Sequence, residues 1–160
     1  MRKRSEEIGE LLKRHNATMS TAESCTGGNI AHNITEVPGS SMYFKGSVVS
    51  YCNEVKHNVI GVKQETLDTY TAVSEETAKE MAEGVKRVMN TDFSVSTTGI
   101  AGPGGATETQ KVGTVWMATA TPAKTSAQLF HFDGDREMVI EKATAKALEI
   151  LEDKIREYYG

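Results

Sequence analysis

The feature that most constrains the fold is an alternation running through the whole chain. Short runs rich in β-branched and small residues trade places with longer segments whose apolar residues recur three and four apart. Ile8, Leu11 and Leu12 give helical spacing over residues 5–15. "ATMSTAE" reads as a strand, Thr26 to Thr35 as a helix opening just after it, and "EVPGSS" as a loop. "GSVVSYC" has a strand's composition, and "NEVKHNVIGV" returns to helical spacing. Ser74 is placed to cap a long helix whose Ala78, Met81, Ala82, Val85 and Val88 share one face. "DFSVSTTG" reads as a strand entering a glycine loop, and "VGTVWMATAT" and "SAQLFHF" as two strands joined by a short turn at Pro122. Glu137 to Tyr158 closes the chain as a helix burying Ile140, Ala143, Ala147, Leu151 and Ile155. The pattern predicts one α/β domain over residues 1–160, with a mixed, mostly parallel sheet. The mixture follows from the last two strands, whose connection is too short for a parallel crossover.

Composition removes several classes of function. The net charge is -4 and no run of Lys and Arg offers a phosphate track, which argues against a nucleic-acid partner. No apolar stretch approaches the roughly 20 residues of a membrane span, and Arg2 to Lys13 builds no signal-peptide core. Cys25 and Cys52 make neither a disulfide framework nor a zinc pattern. The expectation is a soluble, cytoplasmic chain with no membrane partner.

In open α/β sheets ligands collect at the carboxyl ends of parallel strands. Two segments have that address. "AESCTGG" follows the first strand and opens a helix, and "TTGIAGPGG" follows the strand that begins near Phe93. Glycines at a helix start leave backbone N–H groups free for an anion, although glycines also simply make turns. Neither segment is a standard nucleotide fingerprint. "GIAGPGG" has no Lys-Ser or Lys-Thr after it, and Thr107 stands where a GxGxxG pattern needs its last glycine. Candidate nucleophiles are Ser24, Cys25 and Thr26, with Ser40 and Ser41 after Pro38-Gly39. His15, His32, His57 and His131 all lie in helix or strand contexts and read as packing or surface residues. Lys56, five residues after Tyr51, is a candidate base only if its pKa falls from ~10.4 by roughly three units, about 4 kcal/mol. Partial burial and a nearby cation such as Arg136 would act in that direction; without them it reads as a solvated helix lysine. No HxH, HExxH or paired-carboxylate spacing exists, so the site is read as metal-free.

The order of "TAESCTGGNIA", "VPGSSMYFKGSVVSYCNEVK", "AVSEE", "TTGIAGPGG", "VGTVWMA" and "FDGDRE" resembles the CinA C-terminal-domain family, over roughly Ile8 to Leu151. The resemblance is closest to its stand-alone nicotinamide-nucleotide amidohydrolases, without the molybdopterin-binding-like domain that often precedes this module. It implies a three-layer α/β/α sandwich, commonly a dimer, that converts nicotinamide mononucleotide to nicotinate mononucleotide and ammonia without metal or cofactor. It also favours a serine–lysine pairing, with Ser24 attacking, Lys56 moving the proton and Tyr51 relaying or orienting it. Backbone N–H groups over Cys25, Thr26, Gly27 and Gly28 would hold the oxyanion. Ser40, Ser41, Thr98, Gly99, Gly102 and Arg136 would hold ribose and phosphate, with Arg136 on the phosphate. The chain departs from the family pattern at Ser47 and Thr71, each in place of glycine, and at Gln110 and Lys111, in place of a Lys-Pro pair. Rival readings are a silent nucleotide-binding module, an amidohydrolase for another small amide, and a DNA-uptake protein. Charge gives the last no support.

Overall fold

A computed structural model describes all 160 residues. Six helices and five strands follow in the order α1 (Arg2–Arg14), β1 (Met19–Glu23), α2 (Asn29–Thr35), β2 (Phe44–Val49), α3 (Asn53–Asn58), α4 (Gln64–Tyr70), α5 (Glu75–Met89), β3 (Phe93–Gly99), β4 (Thr114–Ala120), β5 (Thr125–His131) and α6 (Arg136–Tyr159). The strands form one sheet in the order β2-β1-β3-β4-β5. β1 pairs in parallel with β2 and β3, while β3–β4 and β4–β5 are antiparallel. Four strands therefore point one way and β4 alone runs against them, the mixed and mostly parallel sheet that the sequence predicts.

Alternation along β1, β3 and β4 decides what each face of the sheet can hold. Met19, Phe93, Val95, Val115 and Met117 face α1, α2 and α6 and belong to the main core, with Ile8, Leu12, Ile30, Ile34, Leu148 and Leu151. The opposite face carries Ala22, Ser94, Ser96, Ala118 and Ala120, small enough for α5 to lie close. There the Ser94 and Ser96 hydroxyls donate to the Ala82 and Ala78 carbonyls of α5, both at 2.6 Å. These are helix carbonyls already engaged along α5, so close approach is what makes the bonds possible. The result is three layers, α/β/α.

Several element boundaries differ from the sequence reading for local reasons. Thr26 to Thr35 was expected to be helical throughout, but Gly27 and Gly28 take φ of +60° and +100°, so a turn precedes α2. The helical segment at 53–62 stops at Asn58, ahead of Gly61 at φ +75°. The second strand begins at Phe44 rather than Gly46 and ends at Val49. The short α4 carries no clear apolar period and is not predicted at all. Ser74 does cap α5, accepting from the Thr77 N–H at 3.1 Å. Val88 is 51% exposed, because a 3.6-residue period carries the inner face from Val85 to Met89 instead. In α6, which Asp135 caps, Val139 is fully buried whereas Ile140 is only partly so. No helix is long and apolar enough to cross a membrane.

Candidate active site

The order β2-β1-β3 means that the chain leaves β1 to one side and returns on the other. At such a switch point the two loops after the central strands diverge and open a crevice at the carboxyl ends. A cleft of about 290 Å³ occupies this position. Ser24 and Cys25 line it after β1, Tyr51, Asn53 and Lys56 after β2, and Thr98 and Gly99 at the end of β3 with Ile100 to Gly102, Gly104 and Gly105 beyond it. Ala72 and Val73, between α4 and α5, form another wall, and Arg136 reaches in from the start of α6.

Lys56 is the unusual group. Its side chain is 1% exposed, and Nζ is surrounded by Ser24 Oγ at 3.0 Å, the Ser50 carbonyl at 2.8 Å and the Tyr51 carbonyl at 3.3 Å. None of these is a carboxylate, so nothing balances the charge of an ammonium. Burial pushes the Lys56 pKa below the ordinary lysine value, outweighing the opposing influence of Cys52 and Cys25. Arg136, expected from the sequence to help lower it, is not among the causes. Lys56 Nζ donates to Ser24 Oγ and to the two carbonyls; in the neutral form of the amine, two N–H groups satisfy the carbonyls and the lone pair faces the Ser24 hydroxyl.

Cys25 is a poorer nucleophile here. Burial drives its thiol pKa up to about 12, so almost no thiolate exists near neutrality. Thr26 is spent, its hydroxyl held by Glu23 Oε1 at 2.7 Å and Thr97 Oγ1 at 2.8 Å. The N–H groups of Cys25 and Thr26, by contrast, donate to no protein acceptor.

Glu23, which the sequence reading passed over as a site residue, explains this turn. Its carboxylate is fully buried and accepts from the N–H groups of Gly28, Ile30 and Ala31 at 3.1, 3.0 and 2.9 Å. The Thr21 hydroxyl lies 3.1 Å from it, and Ser47 donates to it at the limiting distance of 3.5 Å. The positive end of α2 is thus already occupied by the protein's own anion, and Gly27 and Gly28 serve the turn rather than a ligand. An acid just ahead of glycines and a helix start was the available signal. Ser47, which stands where the family pattern has glycine, accepts from Thr21 Oγ1 at 2.6 Å.

Two further expectations are corrected. Ser40 and Ser41 lie in the 3₁₀ turn that precedes β2, at the amino edge of the sheet, and do not line the cleft. The Tyr51 phenol makes no hydrogen bond to Ser24 or Lys56. It accepts from Arg136 Nη2 at 2.9 Å, and only the Tyr51 carbonyl touches the lysine. Arg136 Nη1 also donates to the Gly102 carbonyl at 2.7 Å, and no carboxylate neutralises this guanidinium. Gly102 itself has φ +85°, and a Cβ there would lie 2.5 Å from Val112 Cγ1. The N–H groups of Ala101, Gly102, Gly104 and Gly105 are bonded to nothing in the protein. Thr98 and Gly99 line the cleft, with Ile100 and Ala101 of the same "TTGIAGPGG" segment, whereas Asn53, Ala72 and Val73 carry no sequence signal for a site. No three His, Cys, Asp or Glu side chains gather closely enough to hold a metal ion.

The family model described as the CinA C-terminal domain matches residues 1–155. A CinA-like protein of Endomicrobium trichonymphae is 50% identical over 147 residues, covering 92% of this chain and 34% of that protein. One from Flavobacterium psychrophilum is 46% identical, covering 96% and 37% respectively. The chain therefore spans about a third of the length of these relatives. The crystal structure of competence damage-inducible protein A from Klebsiella pneumoniae superimposes with a TM-score of 0.94 at 34% identity, covering 97% of this chain and 96% of the other. That of the competence/damage inducible protein CihA from Agrobacterium tumefaciens gives 0.90 at 37% identity, covering 94% and 92%.

Proposed function

The chain belongs to the CinA C-terminal-domain family, and on that premise we propose that it is a metal-independent amidohydrolase for nicotinamide mononucleotide. The products are nicotinate mononucleotide and ammonia, which returns the nucleotide to NAD synthesis. The observation that carries this reading is the buried Lys56 amine, 3.0 Å from Ser24 Oγ and without a counter-charge.

Each step assigns work to a named group. Neutral Lys56 takes the Ser24 proton as Oγ attacks the carboxamide carbon. The tetrahedral oxyanion is stabilised by the unspent N–H groups of Cys25 and Thr26. Lys56, now an ammonium, gives its proton to the departing nitrogen, and the C–N bond breaks to release ammonia. Water then attacks the acyl-enzyme with Lys56 again as base, freeing the nicotinate product and the serine. Arg136 and the free N–H groups of the β3–β4 loop suit the phosphate, and Ala72 and Val73 suit the face of the pyridine ring. Tyr51 acts by holding Arg136, not by relaying the proton. The reading carries with it a homodimer or higher homo-oligomer, to be checked by sedimentation.

The test is ammonia release from nicotinamide mononucleotide with a metal chelator present. Turnover by wild type supports the reading. Binding without turnover would instead make the chain a silent nucleotide-binding module, and turnover of the free nucleoside at an equal rate would remove the phosphate from the recognition scheme.

A further inference from the structure

The wall formed by residues 71–74 has an unusual hydrogen-bonding pattern. Thr71, Ala72 and Val73 each present a carbonyl to a side chain from elsewhere. The Thr71 carbonyl accepts from Thr77 Oγ1 at 2.7 Å and Ser74 Oγ at 3.0 Å. The Ala72 carbonyl accepts from Thr98 Oγ1 at 2.7 Å, and the Val73 carbonyl from Gln110 Nε2, also at 2.7 Å. With these acceptors spent, the segment offers the cleft mainly the apolar side chains of Ala72 and Val73. Thr71 also sits at φ +69°, a conformation a β-branched residue rarely adopts, so this backbone relies on its pins to keep its course.

The pins are not equivalent. Thr77 and Ser74 belong to the start of α5 and Thr98 to the central sheet, so they fix the wall to the scaffold. Gln110 alone comes from the β3–β4 loop, the opposite wall, which contains Gly102, Gly104 and Gly105. Its own backbone is set by a turn in which Thr107 N donates to the Gln110 carbonyl at 2.8 Å and Gln110 N to Thr107 Oγ1 at 3.1 Å. We infer that Gln110 is a substrate-positioning residue, a clasp that joins the glycine loop to the apolar wall and sets the separation between the surfaces holding phosphate and ring. This assignment rests on the amidohydrolase reading for its substrate, but the clasp itself does not.

The experiment compares wild type, Gln110→Ala and Gln110→Lys. The lysine restores a donor of similar reach. Two readouts are used: cleavage after the exposed Glu108 by a glutamate-specific protease, and the KM and kcat for nicotinamide mononucleotide. Gln110→Ala is expected to be cut several-fold faster and to raise KM about ten-fold, the loss of about one good hydrogen bond. Its kcat should stay within about two-fold, because no reacting group is touched. Gln110→Lys should recover both properties. Equal cleavage of all three proteins overturns the clasp. Faster cleavage of Gln110→Ala with an unchanged KM overturns its role in positioning. If wild type releases no ammonia, the amidohydrolase reading fails, while the protease comparison still decides the clasp.

Discussion

Two glycine-bearing loops leave the same edge of the sheet, and they have opposite fates. The loop after β1 ends at a helix N-terminus, the more obvious anion site, yet the carboxylate of Glu23 fills it. The loop after β3 meets no helix, but four of its N–H groups are unbonded and the uncompensated guanidinium of Arg136 stands beside it. Glycine content is therefore a poor guide to anion binding. What matters is whether the protein has already supplied the anion. The first loop spends the N–H groups of Gly28, Ile30 and Ala31 on rigidity while those of Cys25 and Thr26 stay unbonded beside Ser24; the second leaves four of its N–H groups unbonded.

That contrast is broken most severely by removing the pair that the first loop holds. Ser24→Ala and Lys56→Met are each expected to lower kcat for ammonia release by ~10³-fold or more. The rate in wild type should climb with pH through the lowered pKa of Lys56, because the neutral amine is the active form. Stability follows the same group. In the window between the lowered folded pKa and the ordinary value near 10.5, the unfolded chain binds more protons, so stability rises with pH there. Below that window the protein bears the full cost of a buried ammonium. Lys56→Met should therefore melt at a higher temperature than wild type at neutral pH while being inactive, and an equal or lower Tm would contradict the account.

Glu23→Ala comes next. It orphans three N–H groups at the start of α2 and two or more hydroxyls, for an expected loss of about 3 kcal/mol in urea unfolding. An effect under about 1 kcal/mol would mean that the turn does not depend on its internal anion. Arg136→Met addresses the second loop. Its KM for the mononucleotide should rise roughly 10- to 100-fold, with little change for the phosphate-free nucleoside, consistent with losing a charge-assisted contact. The smallest effect is expected of Cys25→Ala, within about three-fold of wild-type kcat, since a thiol with a pKa of about 12 carries no thiolate to lose. In wild type, alkylating reagents should modify the exposed Cys52 and spare Cys25.

Much of this was legible from residues alone. Period and cap signals placed α1, α5, α6 and all five strands, because those elements bury a face and must repeat accordingly. Where the reading erred, a through-space fact intervened. Gly27 and Gly28 looked like ligand contacts because nothing local says that Glu23 turns inward to meet α2. Ser40 and Ser41 follow a Pro-Gly pair, as site serines can, but strand direction puts them at the other edge. Tyr51 was expected at the proton, and its ring instead runs out to an arginine 85 residues away in sequence.

By itself the sequence determined the α/β class, the mixed sheet and two glycine loops at one edge, since periodicity, turn residues and short connections are local properties. It also determined which side chains were chemically able to act. Tertiary structure alone decided which of them meet. Crossing from β2 back over β1 to β3 brings residues 24, 56, 98–105 and 136 into one crevice. Only there does Lys56 lose its water without gaining a carboxylate, and only there does one glycine loop find its helix-start donors taken by Glu23 while the other keeps its own. Desolvation and hydrogen-bond partnering depend on neighbours in space, and no spacing along the chain encodes them.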